Sequence, residues 1–241
     1  MITPDWPAPA NVRSLITTRS GGVSAAPYAS LNLGDHVGDN PQHVMQNRAV
    51  LKAQLPAEPR WLKQVHGIAV ADACMVGAEA DASVAFQAGE VCAVLTADCL
   101  PVLLCDQSGT VVGAAHAGWR GLLNGVIEST VAAMKVPSSA LLAYLGPAIG
   151  PQAFEVGDEV RAAFVVENPE AASAFSPGDQ QAETQKWLAD IYELARLRLE
   201  KLGVAGVYGG GLCTYTDAEQ FFSYRRDGVT GRMASLIWLE G

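Results

Sequence analysis

The sequence has few charged and few aromatic residues, and it has no long uninterrupted hydrophobic run. Charged residues make up 17% and aromatic residues 7% of its 241 residues, against 49% hydrophobic residues. This apolar fraction is large enough to build a buried core, which excludes intrinsic disorder for most of the chain. The longest apolar stretch, 91–105, is interrupted by Asp98 and Pro101 and is shorter than the roughly 20 residues of a membrane-spanning helix. We therefore expect a soluble protein without a membrane partner.

Positive charge is also scarce. There are 16 Lys+Arg against 25 Asp+Glu, for a formal net charge of -9. A chain this acidic repels a phosphate backbone, so we expect no nucleic-acid polymer as a partner. The first residues lack the basic start and apolar segment of a secretory signal, which predicts a cytoplasmic location. The glycine fingerprints of dinucleotide-binding and P-loop folds are absent as well.

The number of cysteines is odd, so they cannot all pair within one chain. In a reducing compartment they are free thiols, metal ligands or a nucleophile. They are Cys74, Cys92, Cys99, Cys105 and Cys213. We single out Cys99 for chemistry and expect the other four to be buried apolar filler.

The pattern of apolar residues predicts more strands than helices. Segments of β-branched and apolar residues bounded by turn formers predict strands over 12–18, 68–75, 91–97, 101–106, 110–116, 140–145, 204–209, 220–225 and 233–239. Three amphipathic helices are expected, over 41–55 with a cap at Asp39 or Asn40, from Gly118 to Met134, and over 182–202. No linker divides the chain and no steady βαβ rhythm is present. We therefore predict one domain over 1–241 with an α+β or mixed-sheet architecture.

Two histidines and one cysteine lie in polar segments at the ends of predicted strands. His66, Cys99 and His116 supply two imidazoles and one thiolate, which suits zinc and leaves a fourth position open for water or substrate. Their separations match no zinc-finger spacing, so a buried apolar role for Cys99 stays open. In a third hypothesis, Cys99 is the nucleophile of a hydrolase and His116 or His66 is its base. His36 and His43 are expected at the surface.

Charged residues next to these segments are further candidates. Arg120, between Gly118 and Gly121 at a helix start, forms either an anion site or a surface ion pair. Asp98 is either a catalytic proton carrier or a structural carboxylate that accepts backbone N–H bonds. Two other polar stretches contain Arg19, Arg225 and Arg232, which either hold a polar ligand or are solvated.

Eight short motifs together resemble one bacterial protein family. They are Thr18-Arg-Ser-Gly-Gly-Val-Ser24, Ser30-Leu-Asn-Leu33, Gln46-Asn-Arg48, Gln64-Val-His-Gly67, Ala97-Asp-Cys-Leu-Pro101, His116-Ala-Gly-Trp-Arg-Gly121, Gly146-Pro-Ala-Ile-Gly150 and Phe222-Ser-Tyr-Arg-Arg226. The chain resembles the bacterial laccase-domain proteins, once called multicopper polyphenol oxidases and now viewed as purine nucleoside phosphorylases with adenosine deaminase and methylthioadenosine phosphorylase activity.

This resemblance implies a four-layer α/β/β/α sandwich with mixed sheets. It also implies a zinc cofactor on His66, Cys99 and His116, with purine nucleosides and phosphate as small-molecule substrates. The older oxidase activity fits poorly, because a multicopper oxidase needs an imidazole-rich copper cluster and this chain has 4 histidines in all. Two alternatives stay open. One is a cysteine or zinc amidase that edits peptidoglycan precursors in the cytoplasm, and the other is a metal-binding protein without turnover.

Overall fold

The computed structural model describes residues 1–75, 77–179 and 184–241. Its strands are β1 (Val12–Ile16), β2 (Val70–Asp72), β3 (Ala82–Ala85), β4 (Val91–Thr96), β5 (Leu100–Asp106), β6 (Val112–Ala117), β7 (Leu141–Leu145), β8 (Glu155–Gly157), β9 (Phe175–Pro177), β10 (Lys186–Ala189), β11 (Gly206–Gly209) and β12 (Met233–Leu239). Its α-helices are α1 (Pro41–Lys52), α2 (Trp119–Asn124), α3 (Val126–Ala133), α4 (Asp158–Glu167), α5 (Ile191–Lys201) and α6 (Tyr224–Asp227). Short 3₁₀ helices span Ser138–Ala140 and Pro169–Ala174.

The strands form two main sheets and a small peripheral one. The larger sheet has the order β11-β7-β5-β6-β3-β2, and β5 runs antiparallel to both of its neighbours. It is mixed, because β11 is parallel to β7 and β2 is parallel to β3. The second sheet, β1-β12-β4, is antiparallel and joins strands from both ends of the chain. The peripheral sheet has the order β8-β10-β9.

Alternation along the strands divides the core into layers. On β4, Cys92 and Val94 pack against the larger sheet, whereas Ala93 and Leu95 pack on the opposite face together with Leu51 of α1. The far face of the larger sheet packs against α2, α3, α4 and α5. The layers are therefore helix, sheet, sheet and helices, which confirms the expected α+β sandwich with mixed sheets.

The predicted start of the first helix is confirmed, whereas the second predicted helix is interrupted by a left-handed glycine. The cap of α1 is confirmed, since the Asn40 side chain accepts a hydrogen bond from Gln42 N and proline is the first helical residue. The helix predicted from Gly118 to Met134 is divided at Gly125, whose φ of 100° ends α2 and starts α3. Strands β3, β8 and β9 and helix α4 were not predicted.

Of two further predicted segments, one is wrong throughout and the other is wrong over part of its length. The segment 220–225 is not a strand, because Phe221 N donates to the Asp217 carbonyl in a turn and Ser223 then caps α6. The helix predicted over 182–202 starts only at Ile191, after β10, where the Asp190 side chain caps its first turn. Its expected beginning near Ala182 lies outside the described residues. In the described chain, no helix has the length and apolar content needed to cross a bilayer.

A buried carboxylate fixes the turn between β5 and β6, away from the polar strand ends. Asp106 is 3% exposed and accepts hydrogen bonds from Thr110 N, Thr110 Oγ1 and Val111 N at 2.6, 2.8 and 2.9 Å. Burial alone raises the pKa of this carboxyl, but the donors on Val111 and Thr110 outweigh burial and hold the pKa below its usual range.

We expect Asp106→Ala to lower the free energy of unfolding by about 2 kcal/mol, because it leaves buried N–H donors without an acceptor. Since the folded pKa is depressed, this contribution is present above the unfolded pKa and is lost as pH falls through the folded one. Urea unfolding at neutral pH and at successively lower pH measures both effects. An unfolding free energy that is equal in variant and wild type at neutral pH contradicts this role.

Candidate metal centre

Three potential metal ligands meet at one edge of the larger sheet. His66 lies in the loop before β2, Cys99 in the turn between β4 and β5, and His116 on β6. Their ligand atoms all lie within 4.8 Å of one another. Cys99 Sγ is 3.7 Å from His66 Nε2, and the two imidazole rings are 4.8 Å apart at their centroids and nearly perpendicular. Residues that are far apart in sequence therefore form a compact His-Cys-His group.

The pairing of β5 with β6 explains this convergence. Pro101 is opposite His116 in that antiparallel ladder, so Cys99, just before β5, is placed beside the end of β6. The loop that carries His66 is tied to β4 by Gln64, whose side chain both donates to the Leu95 carbonyl and accepts from Leu95 N. Backbone pairing thus sets the distances between the three ligand atoms.

A buried aspartate that the sequence analysis missed connects the two histidines. Asp81 has no exposed surface, and its Oδ1 accepts hydrogen bonds from His66 N at 2.9 Å and from His116 Nδ1 at 2.8 Å. Its Oδ2 accepts from Val65 N and Gly67 N at 3.1 and 2.6 Å. A carboxylate on Nδ1 selects the tautomer that leaves Nε2 free as a ligand. The one available signal was an aspartate at the start of an otherwise apolar segment.

Two glycines let the ligand-bearing loop pack closely. A Cβ at Gly118 would lie 2.7 Å from His66 Cδ2 and 3.0 Å from Cys99 Sγ. A Cβ at Gly121 would lie 2.9 Å from the Gly67 carbonyl oxygen. In the structure these glycines admit the His66 loop, whose backbone at His66 has a left-handed φ of 60°.

The electrostatics of the group favour a thiolate. Burial raises the pKa of the Cys99 thiol, but the charge and hydrogen bonds of His116 and His66 outweigh it and bring the pKa to about 6. For His116, burial lowers the pKa, while Cys99 and the Asp81 carboxylate raise it to about 9. Two imidazole nitrogens and one thiolate sulfur, with an open fourth direction, form a donor set suited to zinc.

Two cavities adjoin this group and share Cys99 and Tyr224. The first, which we call the metal cavity, has a volume of about 390 Å³ and is also lined by His66, His116 and Arg232. The second, which we call the side cavity, has a volume of about 240 Å³. Its lining combines apolar and cationic side chains, namely Trp119, Ile149, Phe154, Ile191, Arg120 and Arg225. A ligand at Cys99 therefore has the two imidazoles and Arg232 on one side, and the aromatic and aliphatic side chains of the side cavity on the other.

The other predicted site residues lie at the side cavity. Arg120 is exposed, and its guanidinium stacks on Trp119, 4.4 Å from the ring centroid; among the described residues it has no ion-pair partner. Asp98 lines the same cavity, but its oxygens accept from Thr214 Oγ1 at 2.6 Å and from Arg225 N at 2.7 Å. It shares the cavity with Cys99 because β4 ends before both residues and Asp98 has a φ of 93°.

The remaining thiols and histidines differ from their predicted settings in two cases. Cys92 and Cys105 are buried as expected, but Cys74 is exposed and Cys213 is only partly buried. His36 is at the surface as expected and also lines the metal cavity. The guanidinium of Arg19 is used structurally, since it donates to the carbonyls of Ala29 and Ala218.

Known proteins match this chain over nearly its whole length. The sequence model of the family described as multi-copper polyphenol oxidoreductase laccase matches residues 13–240. A Pseudomonas aeruginosa protein named purine nucleoside phosphorylase is 57% identical over 240 residues, 99% of this chain and 98% of the relative. Escherichia coli purine nucleoside phosphorylase YfiH is 55% identical over 245 residues, with the same coverage of 99% and 98%.

Solved structures match as well. A Neisseria meningitidis protein superposes with a TM-score of 0.94 at 57% sequence identity, covering 100% of this chain and 99% of that one. YlmD from Geobacillus stearothermophilus superposes with a TM-score of 0.85 at 32% identity, covering 96% and 93%.

Proposed function

This chain belongs to the multi-copper polyphenol oxidoreductase laccase family, and on that premise we propose that it is a zinc-dependent purine nucleoside phosphorylase that also deaminates adenosine. The observation that carries the proposal is the His-Cys-His group, which faces two adjoining cavities. The names of the relatives, purine nucleoside phosphorylases, support the phosphorylase activity. An oxidase is disfavoured, because one isolated trio of ligands can transfer electrons but cannot reduce dioxygen by four.

In phosphorolysis, a phosphate oxygen attacks C1′ of the ribose, the bond from C1′ to the purine nitrogen breaks, and the purine leaves with the electron pair and takes up a proton. We propose that His66, Cys99 and His116 hold the metal, which supplies Lewis-acid polarisation. The purine and ribose extend into the two cavities, where the apolar wall of the side cavity excludes water. Arg120 lines this cavity, and we propose that it serves as an anion-binding cation there, one of the two roles that the sequence left open.

In deamination, water adds at C6 of adenosine and ammonia leaves, which requires a group that moves a proton. We propose Asp98 for this role because it lines the side cavity beside Cys99. Because both of its oxygens already accept hydrogen bonds from Thr214 and Arg225, a proton transfer requires one of these bonds to open.

The whole chain, 1–241, is proposed to act as one domain in the cytoplasm. Strands β1 and β12, from opposite ends of the sequence, flank one another in the sheet that also contains β4. A half-buried thiol with a lowered pKa, as at Cys99, is preserved best in a reducing compartment.

One contact also favours a second candidate, a cysteine amidase acting on peptidoglycan precursors. Cys99 Sγ and His66 Nε2 are within hydrogen-bond distance for sulfur, at 3.7 Å, as a nucleophile and its base require. In this mechanism the Cys99 thiolate attacks the amide carbon, the C–N bond breaks, the amine leaves with a proton from the imidazolium, and water then hydrolyses the thioester.

Metal analysis and nucleoside turnover on one preparation test the proposal. We expect about one zinc per chain and release of hypoxanthine from inosine only when phosphate is present. If the protein holds no stoichiometric zinc, and alkylation of Cys99 with iodoacetamide stops turnover without releasing metal, the zinc mechanism is wrong and the cysteine hydrolase stands. Loading with zinc and other divalent metals without any product from adenosine or inosine would favour a metal-binding protein without turnover.

A further inference from the structure

Arg232 is a half-buried arginine whose guanidinium has no carboxylate partner in the described part of the chain. Its NH1 donates to the carbonyls of Thr230 and Gly231, both at 3.0 Å, and its other nitrogens meet no acceptor among the described residues. Burial lowers the pKa of this guanidinium, while nearby Cys99 and Asp98 raise it by a smaller amount. The unpaired nitrogens are not fully buried, so they face the cavity and are free to donate to an anion.

The position of Arg232 is fixed from three directions. Its backbone N donates to Asn32 Oδ1 at 2.9 Å, and its carbonyl accepts from Leu33 N at 3.2 Å. Its aliphatic stem passes over Gly34, where a Cβ would lie 2.8 Å from Arg232 Cγ. A guanidinium held this rigidly loses little side-chain entropy when it binds a ligand.

The guanidinium lines the metal cavity together with the three potential metal ligands and Tyr224, whose ring centroid is 5.9 Å from the guanidinium carbon. The other cations near the site differ. Arg120 and Arg225 line the side cavity, where Arg120 stacks on Trp119 and the Arg225 guanidinium carbon lies 5.7 Å from the ring centroid of Phe154. Arg232 is therefore the pre-positioned cation of the metal cavity.

We propose that Arg232 binds a phosphate oxyanion in the metal cavity, with its unpaired guanidinium nitrogens as donors. The proposal rests on the proposed function for the identity of the anion, and it assigns phosphate to the side of Cys99 that holds the imidazoles. The nucleoside then extends across Cys99 toward the apolar wall of the side cavity. Guanidinium and phosphate match in charge and in the geometry of two parallel hydrogen bonds.

The test measures inorganic phosphate binding to the metal-loaded protein by calorimetry, for wild type, Arg232→Gln, Arg232→Lys and Arg13→Gln. We expect Arg232→Gln to raise the Kd for phosphate roughly 10- to 100-fold, and Arg232→Lys to raise it less, because lysine keeps the charge but loses the two-nitrogen geometry. Arg13→Gln is the matched control. It removes the same charge from Arg13 on β1, which forms an exposed ion pair with Glu240.

A second measurement needs no variant, so it decides the matter even if Arg232→Gln fails to fold. Phenylglyoxal modifies accessible arginines, and peptide mapping identifies which of them phosphate protects. Protection of Arg232 supports the proposal. Protection of Arg120 or Arg225 alone, a wild-type Kd in Arg232→Gln, or no phosphate binding by the wild-type protein overturns it.

Nucleoside kinetics separate this proposal from the proposed function. If phosphate binds through Arg232 but inosine is not turned over, Arg232 is a phosphate-binding residue and the proposed phosphorylase activity is wrong. If Arg232→Gln catalyses phosphorolysis with an unchanged KM for phosphate, the phosphorylase activity is supported and the role of Arg232 in phosphate binding is wrong. Ribose 1-phosphate, titrated in parallel, identifies the source of the anion, because competition with inorganic phosphate at Arg232 means that substrate and product phosphates share the subsite.

Discussion

We expect His116→Ala, and separately His66→Ala, to lose the bound metal and to reduce nucleoside phosphorolysis by at least about 10³-fold. The reason is that each variant leaves only two protein ligands, and a metal that stabilises developing charge supplies several kcal/mol to the transition state. Metal content after dialysis and the initial rate of hypoxanthine release from inosine measure the two losses on the same samples.

The two variants differ in their structural cost, which makes the pair informative. His116 is 3% exposed, and its removal leaves Asp81 Oδ1 without one donor, so the variant loses some stability. His66 is exposed, so its replacement costs the core little. His43→Ala is the control, because His43 lies on α1, outside both cavities. Retained metal and full turnover in both ligand variants would disprove the assignment.

Strands β4, β5 and β7 of the two main sheets could be predicted because their residues are almost entirely apolar, whereas the four-residue strand β3 of the larger sheet was missed. β4 and β5 are buried along their entire length, and their boundary falls at Asp98 and Cys99, where the polar residues interrupt the run. The small strands β8, β9 and β10 lie at the periphery. Each has three or four residues and little apolar patterning, so their pairing depends on tertiary contacts that no local signal encodes.

The chemistry of the site could be predicted, but its geometry could not. Imidazole and thiolate ligands identify His66, Cys99 and His116 as a candidate zinc site, and the family resemblance points to the same residues. That Pro101 lies opposite His116 is a property of strand register. Register also brings Asp81 to His116, since β3 pairs with β6 and His116 N donates to the Asp81 carbonyl. The sequence therefore marks Asp81 only as an aspartate before an apolar segment, and it does not identify His116 as its partner.

The second large effect, a loss of zinc affinity, is expected when Asp81 is replaced. Asp81→Asn keeps the size of the side chain but turns one acceptor oxygen into a donor NH₂ group. If the amide oxygen takes the Oδ1 position, Val65 N and Gly67 N face a donor, and if it takes the Oδ2 position, His66 N and His116 Nδ1 do. Either orientation disturbs a metal ligand or the loop that carries one. We expect the affinity for zinc to fall about 10- to 100-fold, as for the loss of other partners of ligating histidines.

Competition with a chelator of known zinc affinity measures this change, and Asp106→Asn is its matched control. Asp106 is also a buried carboxylate that accepts two backbone N–H bonds, but it lies in the β5–β6 turn, outside both cavities. Both variants therefore lose stability by a similar amount, about 1–3 kcal/mol, because each leaves buried donors unpaired. Only Asp81→Asn should lose zinc affinity. An equal loss in both variants would mean that general destabilisation weakens the site, whereas wild-type affinity in Asp81→Asn would mean that the histidines hold their positions without the carboxylate.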